Sequence, residues 1–148
     1  MDNSFFCKWF RGFEQGLEEM DPDSRSGLLR HCAKSCADTG VLQSYLKLYR
    51  DVNGDRDEFY SRLGELGGVR AETVIPYREY HIIFPECGCD LHTDCGVNTP
   101  ALCEWSRQSI IYVAKNVWTG CNVQVETLKT VLAGDNECKF RIVFDNEE

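Results

Sequence analysis

The chain has 148 residues, of which 43% are hydrophobic and 11% aromatic, and its formal net charge at pH 7 is −8. A chain of this length buries roughly two-thirds of its unfolded surface on folding, so it can form a hydrophobic core without crosslinks. The acidic balance disfavours nucleic acid as a partner, because binding to a phosphate backbone requires a basic surface.

The first half of the sequence predicts helices. Aromatic residues recur three and four positions apart near the N-terminus, the spacing of an amphipathic helix: Phe5, Phe6, Trp9, Phe10 and Phe13. A second helix is predicted over 24–37, after the break at Asp21-Pro22. A third apolar face spans 41–49, and a short fourth helix over 56–66 ends at Gly67-Gly68.

The second half changes to the alternating pattern of strands, which are predicted over 69–75, 80–84, 123–128 and 139–144. A helix beginning at Pro100 and running to Val117 or Trp118 separates the two pairs of strands. We therefore predict an α+β fold with a helical N-terminal half and a small antiparallel sheet on which a C-terminal helix packs. Residues 1–148 are expected to form a single domain, with 1–66 as its helical part and 67–148 as its α/β part.

No stretch approaches the ~18 apolar residues of a membrane span, so a membrane partner is not expected. The N-terminal segment also lacks the continuous apolar core of a secretory signal. These features predict a cytoplasmic protein, in which thiols stay reduced and clustered cysteines bind metals or act in catalysis more often than they form disulfides. An odd total of nine cysteines also fits poorly with a fully paired disulfide framework.

Two cysteine pairs are the strongest candidates for a functional site. Cys32 and Cys36 lie one turn apart on a predicted helix, and Cys87-Gly88-Cys89 forms a loop at the end of a predicted strand. Four thiolates are the number that a closed zinc site requires, and an iron–sulfur cluster is the alternative. Cys103 is a further candidate ligand. The structural alternative is that Cys32 and Cys36 are small packing residues, since cysteine is often buried.

Other residues near these pairs have weaker claims. His31 adjoins Cys32 and is a candidate for supporting a ligand from outside the metal's coordination shell. His92, Asp94 and Cys95 are interpreted as a solvated polar loop more readily than as ligands. Three cysteines are predicted to be packing residues: Cys7, Cys121 and Cys138. The acidic residues at 18–19 and 55–58 are interpreted as solvated helix faces.

The sequence does not decide whether the protein is an enzyme. Cys103 is a weak catalytic candidate, because a position near a helix start favours its thiolate, and His81 or His92 would have to act as its base. His81 lies in a predicted strand and is more readily a sheet residue. The sequence contains no nucleophile elbow, phosphate-binding loop, dinucleotide-binding glycine pattern or zinc-protease helix. A thiol redox switch is a further alternative.

Three aromatic residues mark the C-terminal helix and its end: Trp105, Tyr112 and Trp118. They are predicted to belong to the core, and some of them would line any cavity beneath that helix. A homodimer formed through the aromatic first helix or through a sheet edge is left open.

The order of motifs after residue 80 resembles a known family. The strand leads into the Cys87-Gly88-Cys89 loop, a helix opens with Leu102-Cys103-x-x-Ser106, and the last hairpin carries Gly134-Asp135-x-x-Cys138-x-Phe-x-Ile. This order resembles the 4-vinyl-reductase-like small-molecule-binding domains and related uncharacterised bacterial proteins, some labelled 2-aminothiazoline-4-carboxylate hydrolase-like. The resemblance covers a little under half of the chain, and the pair Cys32 and Cys36 also looks like that bacterial group. His92 and Cys95 are not part of the pattern.

The resemblance implies a compact domain with a ligand cavity and with cysteines that hold zinc. The resulting expectation is a cysteine-rich, cytoplasmic, zinc-binding protein with a small-molecule ligand. Its metal ligands would come from Cys32, Cys36, Cys87, Cys89 and Cys103. The alternatives are a hydrolase of a cyclic amide-like compound, acting through a bound metal or Cys103, and the redox switch.

Overall fold

The fold was analysed in a computed structural model, which describes residues 4–86, 95–96 and 99–145. The helices are α1 (Ser4–Glu19), α2 (Pro22–Cys36), α3 (Leu42–Asp51), α4 (Arg56–Ser61) and α5 (Glu104–Val117). The strands are β1 (Arg70–Ile75), β2 (Glu79–Phe84), β3 (Asn122–Lys129) and β4 (Cys138–Asp145). The predicted α+β class is confirmed, with a helical N-terminal half and a C-terminal helix packed on the sheet.

Helix starts follow the capping signals in the sequence. The Asp21 carboxylate accepts a hydrogen bond from the backbone N–H of Ser24 at 3.0 Å, and Asp55 accepts one from Glu58 N–H at 3.1 Å. A kinked turn, Ala37–Val41, joins α2 to α3, and Gly40 adopts a non-helical φ of 144° within it. The predicted fourth helix is shorter than expected, because a 3₁₀ turn at Leu63–Leu66 replaces its final turn.

The four strands form one antiparallel sheet in the order β1-β2-β4-β3. Strand β4 lies inside the sheet and its residues alternate strictly between buried and half-buried. Its four buried residues are Cys138, Phe140, Ile142 and Phe144. Helix α5 packs on this sheet. The apolar face of the sheet and the face of the helix that contacts it together form the main core.

A second, smaller core lies between α1, α2 and the segment that leads into α5. Leu17, Leu29 and Leu102 are its buried members, and Phe10, Phe13 and Trp105 pack against them. This cluster attaches the N-terminal helix to the rest of the molecule. In the described part of the chain, no helix combines the length and the apolar character needed to cross a bilayer.

Candidate functional site

An apolar cavity of about 210 Å³ lies beneath α5, between that helix, the α3–α4 region and the sheet. Its described lining residues are almost all aliphatic or aromatic: Val41, Tyr45, Phe59, Tyr60, Ile82, Phe84, Trp105, Ser106, Ser109, Ile110, Val113, Ala114, Val117, Trp118 and Ile142. Binding pockets of drug-sized ligands commonly occupy about 300–1,000 Å³. At about 210 Å³ the cavity lies below this range, so its size favours a small apolar ligand or one segment of a longer apolar chain.

The periodicities of the surrounding elements explain why these side chains meet. Trp105, Ser109 and Val113 are four residues apart on α5 and therefore share one face of that helix. From the sheet, Ile82 and Ile142 come from neighbouring strands and face the same side. The cavity is thus the place where the helix and the sheet do not fill the space between them.

The cavity is electrically neutral, since none of its described lining residues is charged. Burial raises the pKa of Tyr45 to about 12, and burial also raises the pKa of Tyr60, so both phenols stay protonated at neutral pH. The polar groups are these phenols, the hydroxyls of Ser106 and Ser109, and the indole N–H groups of Trp105 and Trp118. Within the described residues, the buried Nε1 of Trp105 has no hydrogen-bond partner.

A partly buried polar cluster at the start of α4 borders this core. The Arg56 guanidinium packs 4.0 Å from the ring centre of Phe144 and donates to the Tyr77 carbonyl at 2.7 Å. The Asp57 carboxylate accepts hydrogen bonds from Tyr77 N–H at 2.8 Å and from the Tyr80 hydroxyl. Burial and this bond to Asp57 raise the pKa of Tyr80. The interpretation of 55–58 as a solvated acidic face is therefore wrong for Asp57.

The structure does not bring the described members of the predicted metal set into one site. Cys32 and Cys36 are exposed thiols on α2, whereas Cys103 is buried just before α5. Among the described residues, no three or more His, Cys, Asp or Glu side chains are grouped so that they could hold a metal ion. Cys87 and Cys89 lie outside the described residues, so the five-cysteine ligand set and its zinc or iron–sulfur occupant stay predictions.

The prediction for Cys7 is wrong, because its sulfur forms a disulfide with Cys95 instead of packing as a free thiol. The two Cα atoms are 4.9 Å apart and 88 positions separate the residues in the sequence. This bond attaches α1 to the segment that precedes α5. Cys95 therefore has a structural role and is not a solvated side chain of a polar loop.

The histidine candidates are placed apart from the cavity. His31 is exposed on α2, and His81 lies in β2 opposite Arg141 of β4. His92 and Asp94 lie outside the described residues.

Cys121 accepts a hydrogen bond from Arg56 at 3.2 Å and Cys138 accepts one from Val131 N–H at 3.4 Å, which fits the structural role expected for both.

The fold and the cavity define a class of protein: an α+β domain with a four-stranded antiparallel sheet and a neutral apolar cavity under one helix. No protein family profile and no curated protein sequence matches the chain. Among solved structures, it is similar to trafficking protein particle complex subunit 3 from Naegleria fowleri, with a TM-score of 0.51 and 15% identity. The match covers 96% of this chain and 94% of that one. That protein was crystallised with palmitic acid covalently bound.

This comparison corrects the sequence-based assignment. The resemblance to 4-vinyl-reductase-like domains is wrong, because the structure matched along nearly the whole chain is a trafficking-complex subunit. The expected function as a metal-binding protein of that bacterial type is wrong as well. It is overturned by this fold match and by the lack of a metal-holding group among the described residues. Neither finding supports the hydrolase or redox-switch alternatives.

Proposed function

We propose that the chain is a subunit of a protein assembly in membrane trafficking, of the trafficking-protein-particle type. The observation that carries this proposal is the fold match to such a subunit over 96% of this chain and 94% of the other. Because the match leaves little of either chain uncovered, the resemblance concerns the whole molecule and not a shared motif. Its partners would be other protein chains, of which a second copy of this chain is one candidate.

The proposal is tested by isolating the tagged full-length chain from its own cells and sizing the native material. We expect a stoichiometric complex whose other subunits have the same α+β fold. Elution of the chain alone, at a mass near 17.0 kDa, would contradict the proposal. Subcellular fractionation of the same cells tests the expected cytoplasmic location. Alkylation of free thiols tests whether Cys7 and Cys95 are bonded in those cells, because thiols stay reduced in the cytoplasm.

The cavity favours a second function, which is the binding of a fatty-acyl chain. The neighbouring structure contains covalently bound palmitic acid, and the described lining of the cavity here is mostly apolar and carries no charge. Each methylene that leaves water for such a site contributes about 0.8 kcal/mol. A charged carboxylate would find no basic side chain among the described lining residues, so the polar end of the ligand should be neutral or lie at the cavity mouth.

The hydroxyls of Ser106, Ser109 and Tyr45 in the described lining can meet a carbonyl or hydroxyl oxygen. The Trp105 indole can do so as well, and its buried N–H has no partner among the described residues. The described lining contains no cysteine. A thioester-linked chain would therefore have to start from a thiol outside that lining. A chain held without a covalent bond would place its oxygen near Trp105.

Mass spectrometry distinguishes these forms of binding. We expect the protein purified from cells to carry one acyl chain in native spectra, and denaturing spectra show whether that chain stays attached. Ser109→Leu fills the cavity and should lower ligand occupancy at least about tenfold. The control Lys115→Leu places the same side chain on an exposed position of α5 and should leave occupancy unchanged. Equal occupancy in both variants would show that the ligand lies elsewhere.

A further inference from the structure

One wall of the cavity faces solvent on its other side. Val41 lines the cavity, yet it is 48% exposed. The other described lining residues are all buried or half-buried. On the sheet side the cavity is closed, because Ile82 and Ile142 are 4% and 0% exposed. Among the described lining residues, Val41 therefore offers the most direct route between the cavity and solvent.

Val41 belongs to a short segment, residues 38–41, that is anchored at its ends and accessible between them. The flanking residues Ala37 and Leu42 are buried in the main core, whereas the segment itself is exposed or half-buried. Within it, Gly40 interrupts the helical path with its φ of 144°. The Leu42 N–H donates to the Ala37 carbonyl and closes the turn. Because only its ends are buried, the 38–41 segment can move while the core packing of α2 and α3 is kept.

Asp38 fixes this segment to the two neighbouring helices. Its carboxylate accepts a hydrogen bond from the Tyr112 hydroxyl of α5 at 2.7 Å and another from Lys34 Nζ of α2 at 3.0 Å. The Lys34 Nζ also lies 5.9 Å from the centre of the Tyr112 ring. Tyr112 stands between Ser109 and Val113, two cavity-lining residues of α5. The bonds of Asp38 therefore hold the segment against the helix that covers the cavity.

These contacts are strong enough to favour one position and weak enough to break. The side chains of Lys34 and Asp38 are 60% and 42% exposed, and exposed ion pairs contribute little to stability. The bond from Tyr112 has an ionised acceptor and is therefore stronger than a neutral hydrogen bond. The hydrogen bonds from Tyr112 and Lys34 hold the pKa of Asp38 below its usual value, so the carboxylate stays ionised at neutral pH.

We propose that the 38–41 segment is the entrance of the cavity for an acyl chain and that Asp38 holds this entrance closed. In the open state Asp38 releases Tyr112, Gly40 absorbs the change in backbone angle, and Val41 no longer separates the cavity from solvent. The inference rests on the proposed binding of an acyl chain, to which it adds the route and the closing contact. Neither Asp38 nor Tyr112 is among the described lining residues. Weakening their bond should therefore raise the association and dissociation rates equally and leave the dissociation constant unchanged.

Stopped-flow fluorescence with the methyl ester of cis-parinaric acid tests the entrance, because this neutral probe is itself an acyl chain. Tyr112→Phe should raise both rate constants about tenfold, since it removes a hydrogen bond to a charged group. Lys34→Ala should raise them about twofold, as expected for an exposed ion pair. Asp38→Ala removes both contacts and should act at least as strongly as Tyr112→Phe. The matched control is Lys47→Ala, which breaks an exposed pair with Asp51 at 3.2 Å and should change neither rate.

Hydrogen exchange of the ligand-free protein measures the motion independently of any ligand. The Leu42 amide bonds across the turn, so its exchange should accelerate about tenfold in Tyr112→Phe and stay unchanged in Lys47→Ala. The Ile142 amide, in the interior of the sheet, should exchange at the same slow rate in every variant. That constant rate shows that the fold as a whole is intact.

The two measurements separate failure of the entrance from failure of the acyl-chain proposal. A wild-type protein that binds no probe overturns the acyl-chain proposal and, with it, the entrance that rests on it. A wild type that binds the probe, with unchanged rates in Tyr112→Phe and Asp38→Ala, overturns the entrance alone. Faster exchange of the Leu42 amide without faster exchange of the probe also overturns it, because the segment would then move without admitting the ligand.

Discussion

Glu104 connects two helices through a single carboxylate. It begins α5 and accepts hydrogen bonds from Ser26 of α2 at 2.5 Å, from Arg107 Nε at 2.7 Å and from Gln108 Nε2 at 3.0 Å. Burial raises the pKa of Glu104, but the hydrogen bonds from Arg107, Gln108 and Ser26 outweigh it and hold the pKa below its usual value of 4.5. The ionised form is therefore the one that the folded protein prefers.

This preference predicts a pH dependence of stability. Because the folded pKa lies below the unfolded one, the Glu104 contribution is present above pH 4.5 and is lost as the pH falls through the folded pKa. Glu104→Gln should lower the free energy of unfolding by about 1–2 kcal/mol at pH 7 and much less at pH 3. Urea unfolding at both pH values measures this difference. An equal loss at pH 7 and pH 3 would show that the carboxylate charge is not responsible.

Asp57 is the second residue whose removal should be costly. Its carboxylate holds the Tyr77 N–H and the buried Tyr80 hydroxyl, so Asp57→Ala leaves a buried donor without a partner. We expect a loss of about 2–3 kcal/mol in the free energy of unfolding. Asp51→Ala is the matched control, because Asp51 forms an exposed pair with Lys47 and should matter by less than about 0.5 kcal/mol.

The acidic run at 55–58 shows where sequence reasoning fails for single residues. Asp55 and Asp57 look alike in the sequence, yet one caps α4 and the other bonds to Tyr80, 23 positions away. A local pattern predicts the cap because its partner is three residues on. It cannot predict the second bond, because only the packing of α4 against the sheet brings Asp57 and Tyr80 together.

At the level of elements, hydrophobic periodicity predicted most of the fold. The aromatic spacing predicted α1, and strict alternation predicted β4, whose residues alternate as expected. The boundaries were less accurate. The fourth helix changes to a 3₁₀ turn at Leu63, and Pro100 begins a 3₁₀ turn before α5. Both differences lie at helix ends, where capping and tertiary contacts decide the geometry and periodicity gives little information.

The Cys7–Cys95 bond could not be predicted, because cysteine pairing follows three-dimensional proximity and not spacing. Breaking it should loosen α1, which is otherwise attached by the small core around Leu17 and by hydrogen bonds with Arg25 and Thr99. For oxidised protein, Cys95→Ser should lower the free energy of unfolding by about 3–5 kcal/mol. Cys32→Ser, at an exposed thiol, should have little effect. Melting curves with and without reductant measure both, and a reductant-insensitive wild type would contradict the crosslink.

At the scale of the whole molecule, an occupied cavity should stabilise the entire fold. A ligand that binds only the folded state contributes about 2.7 kcal/mol at a concentration a hundredfold above its dissociation constant. Palmitate, or its neutral methyl ester, should therefore raise the melting temperature of ligand-free protein. The neutral ester should be the more effective, because the described lining contains no charge that could hold a carboxylate. An equal effect on Ser109→Leu would show that the stabilisation does not come from the cavity.

The sequence predicted the fold class but not the presence of the cavity. It indicated that some of Trp105, Tyr112 and Trp118 would line any cavity under the C-terminal helix, and the described lining includes Trp105 and Trp118 but not Tyr112. It could not show that such a cavity exists, because an unfilled space depends on how helix and sheet fit together. The clustered cysteines led to the prediction of a metal site. In the structure Cys103 is buried, whereas Cys32 and Cys36 are exposed. That residues 1–148 form a single domain stays a prediction.

The three tryptophans lie in different environments and can serve as intrinsic fluorescence probes. Trp9 is 59% exposed on α1, Trp118 is 6% exposed in the main core, and Trp105 lines the cavity. Fluorescence quenching by acrylamide should therefore be strongest for Trp9 and weakest for Trp118. A change in the emission of Trp105 would instead report on the interior. Changes at the surface of α1 and ligand uptake can thus be followed separately in one unlabelled sample.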